Sequence, residues 1–328
     1  MFSIRLRSAQ FSYTGFLSID RDMSPTTADI VNQWAEEQIV AYERACPQPD
    51  LTFKELIKVL KNVLAGITST VEGAQRIESL VMSRLEEFFN KYATTVCRIV
   101  HAGAAFDDDV VLQRLAALTA ALAALPDAKN TTGKTLTWED EELGIEGKSG
   151  PGRAIIHDRQ RLWSDLPTFG DEMRQLWNGP ASKAQREEEG VSEEAARQQW
   201  SNCNAFAAHL TKLSRRRGDV LDYYLYAIRT LRRALEDRKL LEPRTHIPGA
   251  AQWIRIRGAE LREADRKFSG NQKKSARGGP LYDADTYGYG FSEERWALWR
   301  SRFEAFAQDE TVDEETRQIA RDAAMEMA

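Results

Sequence analysis

Apolar side chains recur at three- and four-residue steps over most of this chain, the period of a helix that buries one face. Ser24-Pro25 predicts a first helix carrying Ile30, Val31, Trp34 and Ile39 and stopping near Pro47. Thr52 with Glu55 forms a capping box ahead of Leu56, Val59, Leu60, Val63 and Leu64, and Gly66 is placed to end that run. Ser69 with Glu72 opens the longest signal, in which Ile77, Val81, Leu85, Phe88, Tyr92, Val96 and Ile99 read as one helix of many turns. Asp107 and Asp108 then precede an Ala/Leu run to Leu125, closed by Pro126.

Between about residues 127 and 190 the periodicity fades into Gly, Pro, Ser and Thr clusters, an irregular connector with one short helix from Phe169 to Trp177. Helical patterning returns from Ser192 to about Leu213 and again in the stripe Leu221, Tyr224, Leu225, Ile228, Leu231, Leu235. After Pro243, Ile247-Pro248-Gly249-Ala250-Ala251-Gln252-Trp253-Ile254 reads as a turn feeding a buried helix, and Ser269 to Gly290 as a polar loop. Two helices finish the chain, one with Trp296, Trp299, Phe303 and Phe306, the other with Ile319, Ala323 and Met327. No alternating strand pattern of convincing length and no fixed-period repeat stands out. The expectation is an all-α multi-helix bundle or irregular helical array: an N-terminal segment over residues 1–23 and a single helical domain over 24–328.

Composition narrows the partners. The 45 basic and 50 acidic residues nearly cancel, so the one-signed basic face that a nucleic-acid binder uses to displace counterions is missing. No apolar run is long enough to span a membrane. Three cysteines, Cys46, Cys97 and Cys203, lack CxxC spacing and imply neither a disulfide framework nor a thiolate zinc site. The expected setting is cytoplasmic; a mitochondrial transit peptide is the alternative, because no acidic residue precedes Asp20.

Three short pieces carry a family resemblance: Trp163-Ser164-Asp165-Leu166-Pro167-Thr168-Phe169-Gly170, the Ile247–Ile254 turn, and Gly279-Pro280-Leu281-Tyr282 with Gly290-Phe291-Ser292-Glu293-Glu294-Arg295-Trp296-Ala297-Leu298-Trp299. They resemble a filamentous-fungal family known as domain of unknown function 3632. The resemblance implies a helical, cytosolic protein and brings no catalytic residues with it.

Sharper chemistry fails on context. Ala128-Lys129-Asn130-Thr131-Thr132-Gly133-Lys134-Thr135 has the relaxed form of a phosphate loop, but a helix and Pro126 precede it where a buried strand is needed. His157-Asp158 suits a metal phosphohydrolase, with His101 as the separate ligand, yet nothing marks the final aspartate, and a surface ion pair with Arg159 is the reading preferred. Cys97 and His101 share a helix face as two metal ligands would, but two ligands do not make a site, and core is the default. Asp107-Asp108-Asp109 has the form of a diphosphate-binding acidic end without its companion motif, and serves as a helix cap. The runs Arg215-Arg216-Arg217, Arg232-Arg233 and Lys273-Lys274 read as solvated surface.

What survives is an aromatic set near the C-terminus: Trp253, Tyr282, Tyr287, Tyr289, Trp296 and Trp299, with glycines between the tyrosines. It favours a module that binds a protein partner or a small apolar molecule, without cofactor or metal. The alternative is an enzyme on a small apolar metabolite, with His246, Tyr282 or Asp283 as acid or base. If Trp253 is core, Trp253→Ala costs about 3–5 kcal/mol in a urea titration; unchanged melting with lost ligand binding would make it a site residue instead.

Overall fold

The computed structural model describes residues 26–46, 50–140, 144–264 and 266–328. Among them are fourteen α-helices and two small antiparallel strand pairs, so the chain is mostly all-α as its periodicity implied. Ser24-Pro25, Pro47 and the segment 1–23 lie outside the described residues. The chain divides into two compact units between Glu193 and Glu194.

The first unit opens with α1 (Thr27–Ala45), α2 (Leu51–Leu64), α3 (Thr70–Met82), α4 (Phe88–Ala105) and α5 (Asp109–Ala123). Thr26 caps α1 in a reciprocal box with Asp29, and Asp50, Ser69 and Asp108 cap α2, α3 and α5 by accepting orphan amides. Gly66, at φ +80°, ends the α2 turn, and Arg114 donates to the Leu64 carbonyl beside it.

The helix expected to run from Ser69 to Ile99 is two helices. Arg84 is extended, and a 3₁₀ turn, Leu85–Glu87, separates α3 from α4. Ser83 supplies the break, its hydroxyl donating to the Leu80 carbonyl and accepting from Lys91. The apolar positions keep their three- and four-residue steps across the kink, so periodicity alone carries no trace of it.

In place of the irregular connector, β1 (Leu136–Asp140) pairs with β2 (Ile145–Ser149), and β3 (Ile156–His157) with β4 (Gln160–Arg161). The inward side chains explain why no strand pattern appears in the sequence: Leu136, Trp138 and Asp140 on β1 face Ser149, Gly147 and Ile145. Asp140 is buried because His157 Nε2 lies 3.4 Å from its carboxylate, and Trp138 donates to His157 Nδ1 at 3.2 Å. The Trp138 ring crosses Gly147 so closely that a Cβ there would come within 2.0 Å of the indole. Contrary to the expected surface pair with Arg159, His157 is thus a core residue. Short helices α6 (Phe169–Leu176) and α7 (Lys183–Glu189) complete this unit.

The second unit holds α8 (Glu193–Leu213), α9 (Tyr224–Leu235), α10 (Pro243–Glu263), α11 (Asn271–Ser275), α12 (Ala284–Tyr287), α13 (Glu293–Gln308) and α14 (Glu314–Glu326). The expected turn at Ile247-Pro248-Gly249 is helical: Pro248 sits inside α10, where it forfeits a bond to the Arg244 carbonyl. Asn204 of α8 ties three helices, accepting from Thr230 of α9 at 2.8 Å and from Trp253 Nε1 of α10 at 2.9 Å.

The fully buried pair Glu236–Arg295 holds the rest. Arg295 Nε donates to Glu236 Oε1 at 2.6 Å and Nη2 to Oε2 at 3.1 Å. Its remaining donors take the carbonyls of Ala276, Arg277 and Gly290. Glu236 also accepts from Trp299 Nε1 at 2.8 Å and from the Gly279 amide at 2.7 Å. A Cβ on Gly279 would lie 2.7 Å from that of Glu236, so glycine permits this approach. Glu236→Gln leaves a buried cation without its anion and should cost about 3–5 kcal/mol in urea unfolding at neutral pH. A loss below about 1 kcal/mol would show that the carbonyls alone suffice.

Candidate functional site

Helix α4 is buried on nearly every side, yet it carries Arg98, Cys97 and His101. Such polar groups on an enclosed helix must be met by neighbouring elements. Arg98 Nη1 donates to Gln38 Oε1 of α1 at 3.0 Å, and Nη2 points at Cys97 Sγ, 3.6 Å away. Cys97 and His101 stand one turn apart on a shared face. The first turn of α6 is brought to the same place: Tyr92 OH donates to the Pro167 carbonyl at 2.8 Å, and Leu166 and Thr168 take left-handed backbones. Such residues carry strain of about 1–2 kcal/mol each.

The result is a convergence that the sequence did not offer. Cys97 Sγ, an imidazole nitrogen of His101 and a carboxylate oxygen of Glu172 all lie within 4.8 Å of one another. Cys97 and Glu172 are buried, at 1% and 8% exposure. Burial, and secondarily the Arg98 guanidinium, bring the His101 pKa down to about 4, so its ring is neutral at neutral pH. Cys203 offers a contrast: burial in α8 pushes its thiol up to about 12, which leaves it an inert core residue.

A pocket of about 150 Å³ reaches Cys97 and Arg98 from the surface. Its walls include the Tyr42–Phe53 stack, with ring centroids 3.9 Å apart, and Leu56, Leu80 and Val81. Thr94, Asn90 and Lys91 supply its polar side. A cleft of about 270 Å³ in the second unit is lined by charges of both signs, with Arg244 paired to Asp313 at 3.0 Å and Arg197 to Glu194.

The C-terminal aromatic residues have identifiable places. Trp253 and Trp299 are fully buried and hydrogen-bonded to Asn204 and Glu236, while Trp296 donates to the Met327 carbonyl at 3.4 Å. Tyr282 packs over Arg295, 4.5 Å from the guanidinium carbon to its ring, and lies 6.0 Å from the half-exposed Tyr287 ring. Tyr289 pairs with Asp285, and Lys273 sits over its ring. The Gly/Tyr loop is pinned, not loose: Phe268 N donates to the Tyr289 carbonyl at 2.7 Å and Phe291 N to that of Arg266. Asp283 caps α12 through the amides of Asp285 and Thr286, and the Thr286 hydroxyl also holds its carboxylate.

The remaining motifs find structural roles. Asn130 is buried and organises the loop before β1, its amide donating to the Lys134 and Ser149 carbonyls. Asp108 caps α5 and accepts from Thr27. Arg232 donates to the Ser275 carbonyl.

Fold and site together define a two-unit helical protein with one buried thiol–imidazole–carboxylate convergence identified among the described residues. The chain belongs to the family described as Protein of unknown function (DUF3632), which matches residues 95–303, well over half its length. That span includes Cys97, Arg98, His101, Glu172 and all six C-terminal aromatic residues named above. No curated protein and no solved structure matches the chain. No helix among the described residues is long and apolar enough to cross a membrane.

His246, buried in α10 with Arg233 nearby, has its pKa lowered from 6.5 to about 4, chiefly by burial and then by that cation. Below pH 6.5 the unfolded chain takes up the proton first, so stability is complete above that pH and falls as pH drops toward 4. The full span is worth about 3 kcal/mol. Melting measured from pH 6.5 down to about 5, above the ordinary carboxylate range, should fall in the native chain and fall less in His246→Gln. Equal slopes would mean that the imidazole is protonated in the fold.

Proposed function

We propose that the chain is a binding module whose first unit takes a small molecule with an apolar body and an acidic group. The observation that carries this reading is the pocket itself: an apolar wall of Tyr42, Phe53, Leu56, Leu80 and Val81, with the cationic residues Lys91 and Arg98 also in its lining. An apolar enclosure with a few converging polar groups is the usual form of a ligand site, and a guanidinium matches a carboxylate in both charge and shape. A volume of about 150 Å³ suits an occupant such as a small aromatic acid. A cytoplasmic setting in a fungal cell belongs to this reading. It is supported by Cys46, Cys97 and Cys203 forming no disulfide, and by the family resemblance. A protein partner is the second reading, favoured by Ile67 and Val71, four residues apart and each more than half exposed.

Phenylacetate serves as the probe, titrated into the metal-stripped full chain by calorimetry, with benzylamine as the cationic control. Saturable binding of the acid but not the amine is expected, reduced about tenfold or more in Thr94→Phe, which fills the pocket while its own melting stays near the native value. Equal binding of both probes, or binding unchanged by Thr94→Phe, would remove this pocket as the site.

A further inference from the structure

We propose that Cys97, His101 and Glu172 form a site for a divalent cation of the zinc class. This goes beyond the small-molecule reading and does not depend on it.

The three donors come from two helices. Cys97 and His101 lie at positions i and i+4 of α4, so helix geometry alone puts them on one face. Glu172 arrives from the first turn of α6, held there by the Tyr92–Pro167 bond and the left-handed residues before it. The convergence is therefore a property of the fold and not of one helix's period.

The donor set selects the ion. A thiolate, an imidazole and a carboxylate combine soft, borderline and hard character, which suits zinc and its neighbours and disfavours calcium or magnesium, whose ligands are all oxygen. In a tetrahedral zinc site the bond lengths set donor atoms roughly 3.5 Å apart. Ligand atoms within 4.8 Å of one another lie at most about 1.3 Å beyond that spacing, a shift of the size that side-chain rotation supplies.

The charges act in both directions. A deprotonated Cys97 and an ionised Glu172 offset the charge of a divalent cation, while the Arg98 guanidinium beside Sγ adds one positive charge to the assembly. Binding releases the Cys97 thiol proton to solvent, and the Arg98 Nη2 near Sγ is placed to donate to the resulting thiolate. Three protein donors leave a fourth coordination position.

The test uses the full chain, stripped with a chelator and titrated with cobalt(II) as a spectroscopic substitute for zinc. One equivalent should produce a thiolate-to-cobalt charge-transfer band in the near ultraviolet and tetrahedral d–d bands in the visible, all bleached by added zinc. Cys97→Ala should abolish the charge-transfer band, and Glu172→Gln should weaken cobalt binding about tenfold or more while keeping that band. Far-ultraviolet circular dichroism confirms that each variant is folded. Should Cys97→Ala not fold, Cys46→Ala and Cys203→Ala decide the ligand instead, since the band must survive in both. A folded native chain with no charge-transfer band at saturating cobalt overturns the proposal, as does a band that survives Cys97→Ala or disappears in Cys46→Ala. The titration contains no organic ligand, and the phenylacetate titration contains no metal, so failure of one reading leaves the other standing.

Discussion

A charge taken out of water has to be met inside the protein, and this constraint organises both units more visibly than the apolar core does. In the second unit, Arg295 and Glu236 answer each other and then use every remaining donor and acceptor on the chain around them. The stretch from Ala276 to Gly290 has little regular structure of its own. It is ordered because its carbonyls are what a buried guanidinium needs. A second fork, Arg266 to Asp222, fixes the exit of α10, and its guanidinium lies over the Tyr224 and Phe268 rings. The pairs confer register as much as stability, since the same geometry filled by apolar groups would leave the loop carbonyls unsatisfied.

The same constraint acts differently in the first unit. There the buried polar residues of α4 are met by side chains from separate elements, Gln38 of α1 on one side and the turn carrying Glu172 on another. Asp140 and His157 repeat the pattern within the paired strands, an acid and a base buried together. A core that encloses titratable groups in mutual contact has greater chemical range than one of leucines alone, which makes α4 the element to watch for function.

Helices were legible in the sequence because their signal is redundant. Several apolar stripes are reinforced by a cap, as at Ser69 and Asp108, and errors in one are corrected by the other. Breaks were less legible. The kink at Ser83-Arg84 preserves the apolar period on both sides, so only the serine marks it. The strands were hidden for a chemical reason: their inward positions include Asp140, Gly147 and Ser149, each placed by a specific partner and none by hydrophobicity. Propensity reasoning expects inward residues to be apolar and reads such a segment as loop.

Half of the candidate site could be read the same way, and half could not. Cys97 and His101 advertise a shared face through their spacing, which a sequence displays directly. Glu172 lies 71 residues beyond His101, next to Asp171 in a first helical turn where acids need no further explanation than the helix dipole. Only the fold distinguishes the two: Asp171 is partly exposed and paired to Arg174, whereas Glu172 is buried toward α4. A carboxylate that merely complements a helix terminus has no reason to give up its water. Glu172 has done so within reach of a thiol and an imidazole, and that convergence is what makes its position a question of chemistry and not of capping.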